Sequence, residues 1–270
     1  MFLAPAAVVS IALIAIPLFI IGAYSFLSRG AYGGVIPPCT TENYGRVLDS
    51  IYLRIAWRSF VIAASATALC LVAGFPLALY IARSGRKQTL LLNLVMLPFW
   101  TSFLIRTYAW MFLLRDTGLV NSTLLSLHLI REPLPLLFND GAVILGLVYG
   151  YLPFMVLPLY ATLEKLDPGL LDAAQDLGAT PWAAFWRAIV PLSRSGIVSG
   201  VLLVFIPCLG AYLTPDLLGG GRSLMVGNLV QNQFTTARDW PFGSAVSLLL
   251  MIVTLLLLLW VMRRRGEELL

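Results

Sequence analysis

LEKLDPGLLDAAQDLGATPWAAFWRAIVPLSR, residues 163–194, carries charge and proline between two long apolar runs and still reads as ordered helix. Asp167 can cap a helix that opens with Pro168, because proline at the first helical position gives up no needed donor. Leu170, Leu171, Ala174 and Leu177 then recur at helical spacing, with Asp172, Gln175 and Asp176 on the opposite side. Gly178 can take the positive φ that ends such a helix. Thr180-Pro181 starts a second helix, on which Trp182, Phe185, Trp186 and Ile189 form an apolar stripe that Pro191 closes. Two short amphipathic helices hinged at a glycine make a surface suited to receiving a partner.

Outward from this loop the chain is strongly apolar. Hydrophobic residues make up 59%, charged residues 11%, and mean hydropathy is +0.88, which places the chain in a bilayer. Its 270 residues accommodate six spans of about 20 residues each with modest loops. The expected fold is all-α and integral to the membrane, one domain over residues 1–270, with spans at 3–27, 55–82, 90–114, 141–163, 195–215 and 242–262. The first apolar run lacks a charged leader and is read as a retained helix rather than a signal peptide. Short helices are expected near Thr41-Glu42-Asn43-Tyr44 and from Gly118 towards Leu129, with loops around them. Pro98 should kink the third span, and Pro207 and Gly210 should break the fifth.

Charge sets the orientation. Arg83, Arg86 and Lys87 form a tight basic turn, and Arg263, Arg264 and Arg265 end the last span. The positive-inside rule puts both, and the 163–194 loop, in the cytoplasm, with both termini on that side. The net charge of +5 is scattered and forms no basic stripe among aromatics, which argues against nucleic acid as a partner. Three separated cysteines (Cys39, Cys70 and Cys208) and the single His128 offer no metal motif or disulfide framework. The P-loop, HExxH and GxSxG patterns are absent, so no catalytic residue and no bound cofactor is expected in this chain. Active transport would then draw its energy from a partner or from an ion gradient. The scarcity of acids deep in the spans disfavours a stand-alone proton-coupled carrier.

The loop resembles the EAA loop of bacterial ABC-importer permeases: EAA, three residues, Gly, nine residues, then I-x-L-P. Here the pattern stands as Asp172-Ala173-Ala174, Gly178 and Pro191 with both spacings intact; Asp172, Ala188 and Val190 depart from Glu, Ile and Leu. Residues 97–110, Tyr151-Leu152-Pro153-Phe154-Met155, residues 214–220 and residues 240–245 are similar to segments of the spermidine/putrescine-type branch, which also takes opines and other small nitrogenous solutes. The likeness extends from about Tyr44 to Leu255. It implies a six-helix, type I importer permease with a cytoplasmic coupling-helix loop, in a bacterial plasma (inner) membrane. It also implies a homologous second permease, two cytoplasmic ATPase subunits that bind ATP and Mg, and a periplasmic or extracellular solute-binding protein. By the same resemblance Asp172, Ala173, Ala174, Gly178 and Pro191 would dock on the ATPase. An ABC permease for another solute, opine or amino-acid-like, is the near alternative.

Candidate substrate-path residues each have two readings. Arg106, a charge at membrane depth, either lines a path or satisfies backbone carbonyls and snorkels outward. Trp100, Tyr108, Trp110, Tyr149 and Tyr151 either stack on alkylammonium groups or form an interfacial belt in membrane lipid. Asp216 either attracts cations at an outer gate or caps the turn before Gly219.

Overall fold

The structure, a computed structural model, describes residues 3–167, 169, 176 and 178–267. The expected loop residues Asp172, Ala173 and Ala174 lie outside the described residues. The chain forms two compact units: Met1–Arg58 with Met225–Leu270, and Ser59–Leu224. Nearly every described element is helical.

In the first unit, α1 (Leu3–Ser25) packs along α12 (Trp240–Glu267). The loop after α1 holds an antiparallel pair, β1 (Ser28–Arg29) and β2 (Val35–Ile36), then α2 (Glu42–Val47), the short helix expected there. Asn43 ties α2 to the end of α1, its Nδ2 donating to the carbonyls of Ser25 and Leu27 at 3.0 and 2.9 Å. A core forms around Val226, Phe242 and Val246, with Tyr52, Leu229 and Leu250 against it. Its first member opens α11 (Val226–Phe234), a helix the sequence did not single out.

Asp239 does two jobs at the head of α12. Its Oδ1 accepts from the Phe242 amide at 3.2 Å, and its Oδ2 pairs with Arg46 Nη2 at 3.0 Å. The Arg46 guanidinium also lies over the Phe242 ring, 4.2 Å from its centroid. Asp239 is 2% exposed but Arg46 is 35% exposed, so solvent screens part of the attraction. Loss of the cap and the pair in Asp239→Ala should cost about 2–3 kcal/mol. Asp239→Asn keeps a capping oxygen and should cost less; thermal unfolding of the purified protein checks both.

The second unit holds α4 (Gln88–Met96), α5 (Phe103–Leu114), α6 (Leu119–Ser126), α7 (Asp140–Leu163), α8 (Pro181–Leu192), α9 (Arg194–Leu209) and α10 (Leu213–Gly219). It also includes the part of α3 (Ser50–Ala82) from Ser59 onward. α7 is capped by Asn139, whose Oδ1 accepts from Ala142 N at 2.9 Å. α9 crosses α7 closely, because Gly196 and Gly200 present no side chain there; a Cβ on Gly196 would sit 2.8 Å from the Pro158 carbonyl oxygen. Cys70 and Cys208 are fully buried and free, as small apolar residues would be.

Several boundaries differ from those the sequence suggests. α3 begins at Ser50, five residues ahead of the expected span start at 55, because residues 50–54 continue the helical ladder. The third span does not merely kink. After the single-turn helix Leu97–Trp100 the chain goes extended at Thr101 (ψ 148°), and the helical segments on either side are bent by 86°. Pro98 is the second residue of that turn, and Thr101 Oγ1 donates to its carbonyl at 2.7 Å. The fifth span stops at Leu209, and α10 begins afresh after Tyr212. α8 ends at Leu192, one residue past Pro191. A π-turn over Phe185–Ile189 precedes that end.

Among the described residues three helices are long and apolar enough to cross a membrane: Ser50–Ala82, Asp140–Leu163 and Trp240–Arg263. The bent pairs Gly85–Trp100 with Phe103–Ser126, and Pro181–Leu192 with Arg194–Leu209, bring the number to five if each pair is one span.

Candidate functional site

Two places in the second unit gather the residues that the sequence marks out. The first is the 163–194 loop. Asp167 Oδ1 accepts from the Gly169 amide at 2.9 Å, an Asx-type turn. Gly178 has φ +86°. Thr180 caps α8, its Oγ1 accepting from Ala183 N at 3.2 Å, with Pro181 as the first helical residue.

The apolar stripe of α8 divides between two tasks. Ala184 and Ile189 are buried, and Phe185 meets the buried Phe75 of α3 edge-on at 5.4 Å. Ser193, fully buried, donates to the Ile189 carbonyl at 2.7 Å. Trp182 and Trp186 form a mutual edge contact at 5.7 Å and are 70% and 52% exposed. One side of the helix is therefore anchored to the bundle, and two large rings face outward. A cleft of about 490 Å³ lies beside it, lined by Leu79, Arg83, Gln88, Glu164 and Asp167 among others.

The second place is the break in the third span. Arg106, on the first turns of α5, is 9% exposed, and its Nε and Nη1 have no hydrogen-bond partner among the described residues. Its guanidinium carbon lies 5.6 Å from the ring centroids of both Phe99 and Phe103. No backbone carbonyl accepts from Nε or Nη1 among the described residues. Two cation–π contacts supply about 1–4 kcal/mol together, against a desolvation cost of several kcal/mol for a buried ion without hydrogen-bond acceptors. The surroundings are thus electrostatically incomplete.

Aromatic packing joins this point to α7. Phe99 meets Phe154 edge-on at 5.1 Å, and Tyr151 lies 6.1 Å from Phe154. Trp110 and Tyr149 form a separate edge pair at 5.5 Å. Trp100 points away and is 82% exposed, while Tyr108 is 39% exposed. Asp216 is exposed on α10 and makes no side-chain hydrogen bond among the described residues. It does not cap the turn after α10, which Gly220 closes with φ +54°.

Residues 6–265 match the family described as binding-protein-dependent transport system inner membrane component. The chain belongs to this family. Its members are transport proteins of the inner membrane, in keeping with the apolar helices above. This permease is 46% identical to the Escherichia coli spermidine/putrescine transport system permease protein PotB over 236 residues, 87% of this chain and 86% of that protein. It is 43% identical to the Haemophilus influenzae protein of the same name, over 88% of this chain and 83% of that one. Its fold is similar to a chain in the crystal structure of a bacterial ABC transporter that imports alginate, with a TM-score of 0.68 at 18% identity, covering 98% of this permease and 94% of that chain.

Sequence reasoning passed over two features of the permease. Gly196-Ile197-Val198-Ser199-Gly200 is a small-xxx-small spacing and was legible as a helix-contact motif. Thr214, whose Oγ1 is buried without a partner among the described residues, left no sequence signal.

Proposed function

We propose that this chain is one of two homologous permease subunits lining the path of an ATP-driven importer for polyamines. The observation that carries it is identity of 43–46% to spermidine/putrescine permeases across most of both chains. In this reading α1 and the two bent pairs join the three long helices as six spans. Both termini and the 163–194 loop lie in the cytoplasm, where the exposed rings of Trp182 and Trp186 and the Asp172-Ala173-Ala174 motif meet one of two ATPase subunits. ATP and Mg bind to those subunits, and a solute-binding protein delivers cargo from outside. Asp216 gives a cationic cargo its one exposed acid on α10, and Tyr108, Trp110, Tyr149 and Tyr151 offer ring faces to alkylammonium groups.

The decisive experiment is labelled-spermidine uptake by vesicles of the co-expressed complex. Uptake should require ATP and the ATPase subunit. Asp216→Asn should raise the half-saturating spermidine concentration about tenfold, the ~1.5 kcal/mol of a charge-assisted hydrogen bond, with the complex intact. Uptake that persists without the ATPase would refute the importer. ATP turnover with transport of an opine but not spermidine would move the permease to another solute.

A further inference from the structure

We infer that Arg106 is the receptor for a carboxylate that reaches it from outside this chain. A guanidinium presents its N–H groups in one plane, and ring faces can attract the charge but cannot accept those donors in the plane. Nε and Nη1 are both without acceptors among the described residues. Nε shares an edge of the group with Nη2 and not with Nη1, so a carboxylate on that edge accepts from Nε–H and Nη2–H, and Nη1–H takes a further acceptor.

The neighbouring sequence holds no such group. Residues 85–114 contain no Asp or Glu, and α7 contains none after Asp140. Asp216 is exposed on α10 and does not bond Arg106. A second unmet polar atom, Thr214 Oγ1, lies on α10, which packs against α5.

The way in is through Phe99. Its ring covers the guanidinium, yet it sits on the single turn just before the break at Thr101 and is 40% exposed. Withdrawal of that ring opens the guanidinium to an incoming acid. Such a pair fixes the broken span to whatever carries the carboxylate. An acidic side chain of the second permease is one source, and a carboxyl group on the solute is the other. The first source rests on the two-permease reading above.

The test uses the co-expressed complex with Arg106→Lys and Arg106→Gln. If the second permease supplies the acid, Arg106→Gln should lower recovery of that subunit after a detergent wash about 30-fold, and Arg106→Lys should retain most of it. If the solute supplies it, both variants stay assembled. An opine bearing a carboxyl group then blocks uptake in wild type and not in Arg106→Gln.

Should Arg106→Gln fail to accumulate, the wild-type chain is paired with second permeases in which each membrane-depth Asp or Glu is neutralised in turn. One of these must reproduce the lost assembly. The inference is overturned if Arg106→Gln matches wild type in assembly and in opine inhibition, or if no neutralised acid and no carboxylated solute has any effect. Wild-type complex that assembles but moves no spermidine refutes the polyamine reading alone, because the assembly readout does not depend on cargo.

Discussion

Gly178→Pro should abolish ATP-driven uptake while the permease remains assembled and the ATPase keeps turning over. Gly178 has φ +86°, and proline fixes φ near −65°, so the turn leading into α8 cannot be kept. A Cβ at this position would meet nothing within 4 Å, so the defect comes from the backbone and not from crowding. The conformational conflict is worth about 3 kcal/mol or more, enough to cut the productive loop geometry by about a hundredfold. Assembly should survive because Phe185, Ala184 and Ile189 hold α8 to the bundle independently of that turn. Gly178→Asn is the matched control: asparagine tolerates the left-handed region and should keep most of the uptake. Uptake near the wild-type level in the proline variant would show that the turn does not transmit the motor's motion.

Gly196→Val should be the most damaging single change to the fold. Its Cβ would lie 2.6 Å from Thr162 Oγ1 and 2.8 Å from the carbonyl oxygen of Pro158. The first contact could be relieved by turning a side chain. The second is backbone, and Thr162 already donates to that same oxygen at 3.0 Å, so α7 and α9 must separate. Separation forfeits close packing along the crossing, where Gly200 also meets Met155 and Pro158. Overpacking of this kind costs about 3 kcal/mol, and the added branches enlarge it. The variant should accumulate poorly and melt well below wild type, whereas Ile197→Val, a cavity-forming change without overpacking, should shift melting only slightly. Equal melting of Gly196→Val and wild type would mean the two helices do not cross as closely as the geometry has them.

The two variants fail for different reasons, and the difference shows what each level of description supplies. The φ of Gly178 was legible because it is local: a helix that runs into Gly-Ala-Thr-Pro has few ways to end and restart. The crossing at Gly196 also left a trace, in the spacing to Gly200, but nothing in the spacing says that the facing surface is the Pro158–Thr162 turn. Arg106 stood out as a charge in an apolar run. Whether it reaches water, a carbonyl or nothing depends on Phe99, Phe103 and the direction the chain takes after Thr101, and an 86° bend is not written in any single residue. The split of the α8 stripe, with Ile189 buried and Trp182 70% exposed, likewise depends on where α3 places Phe75.

By itself, then, the sequence determined the membrane class, the mostly helical content, the three long apolar helices and the loop that carries the family likeness. These follow from composition, periodicity and backbone preference, which act over a few residues. Only the tertiary structure decided which side chains those helices bury, where the third span breaks, and that Arg106 is enclosed without an acceptor among the described residues, because burial is set by segments far apart in the chain.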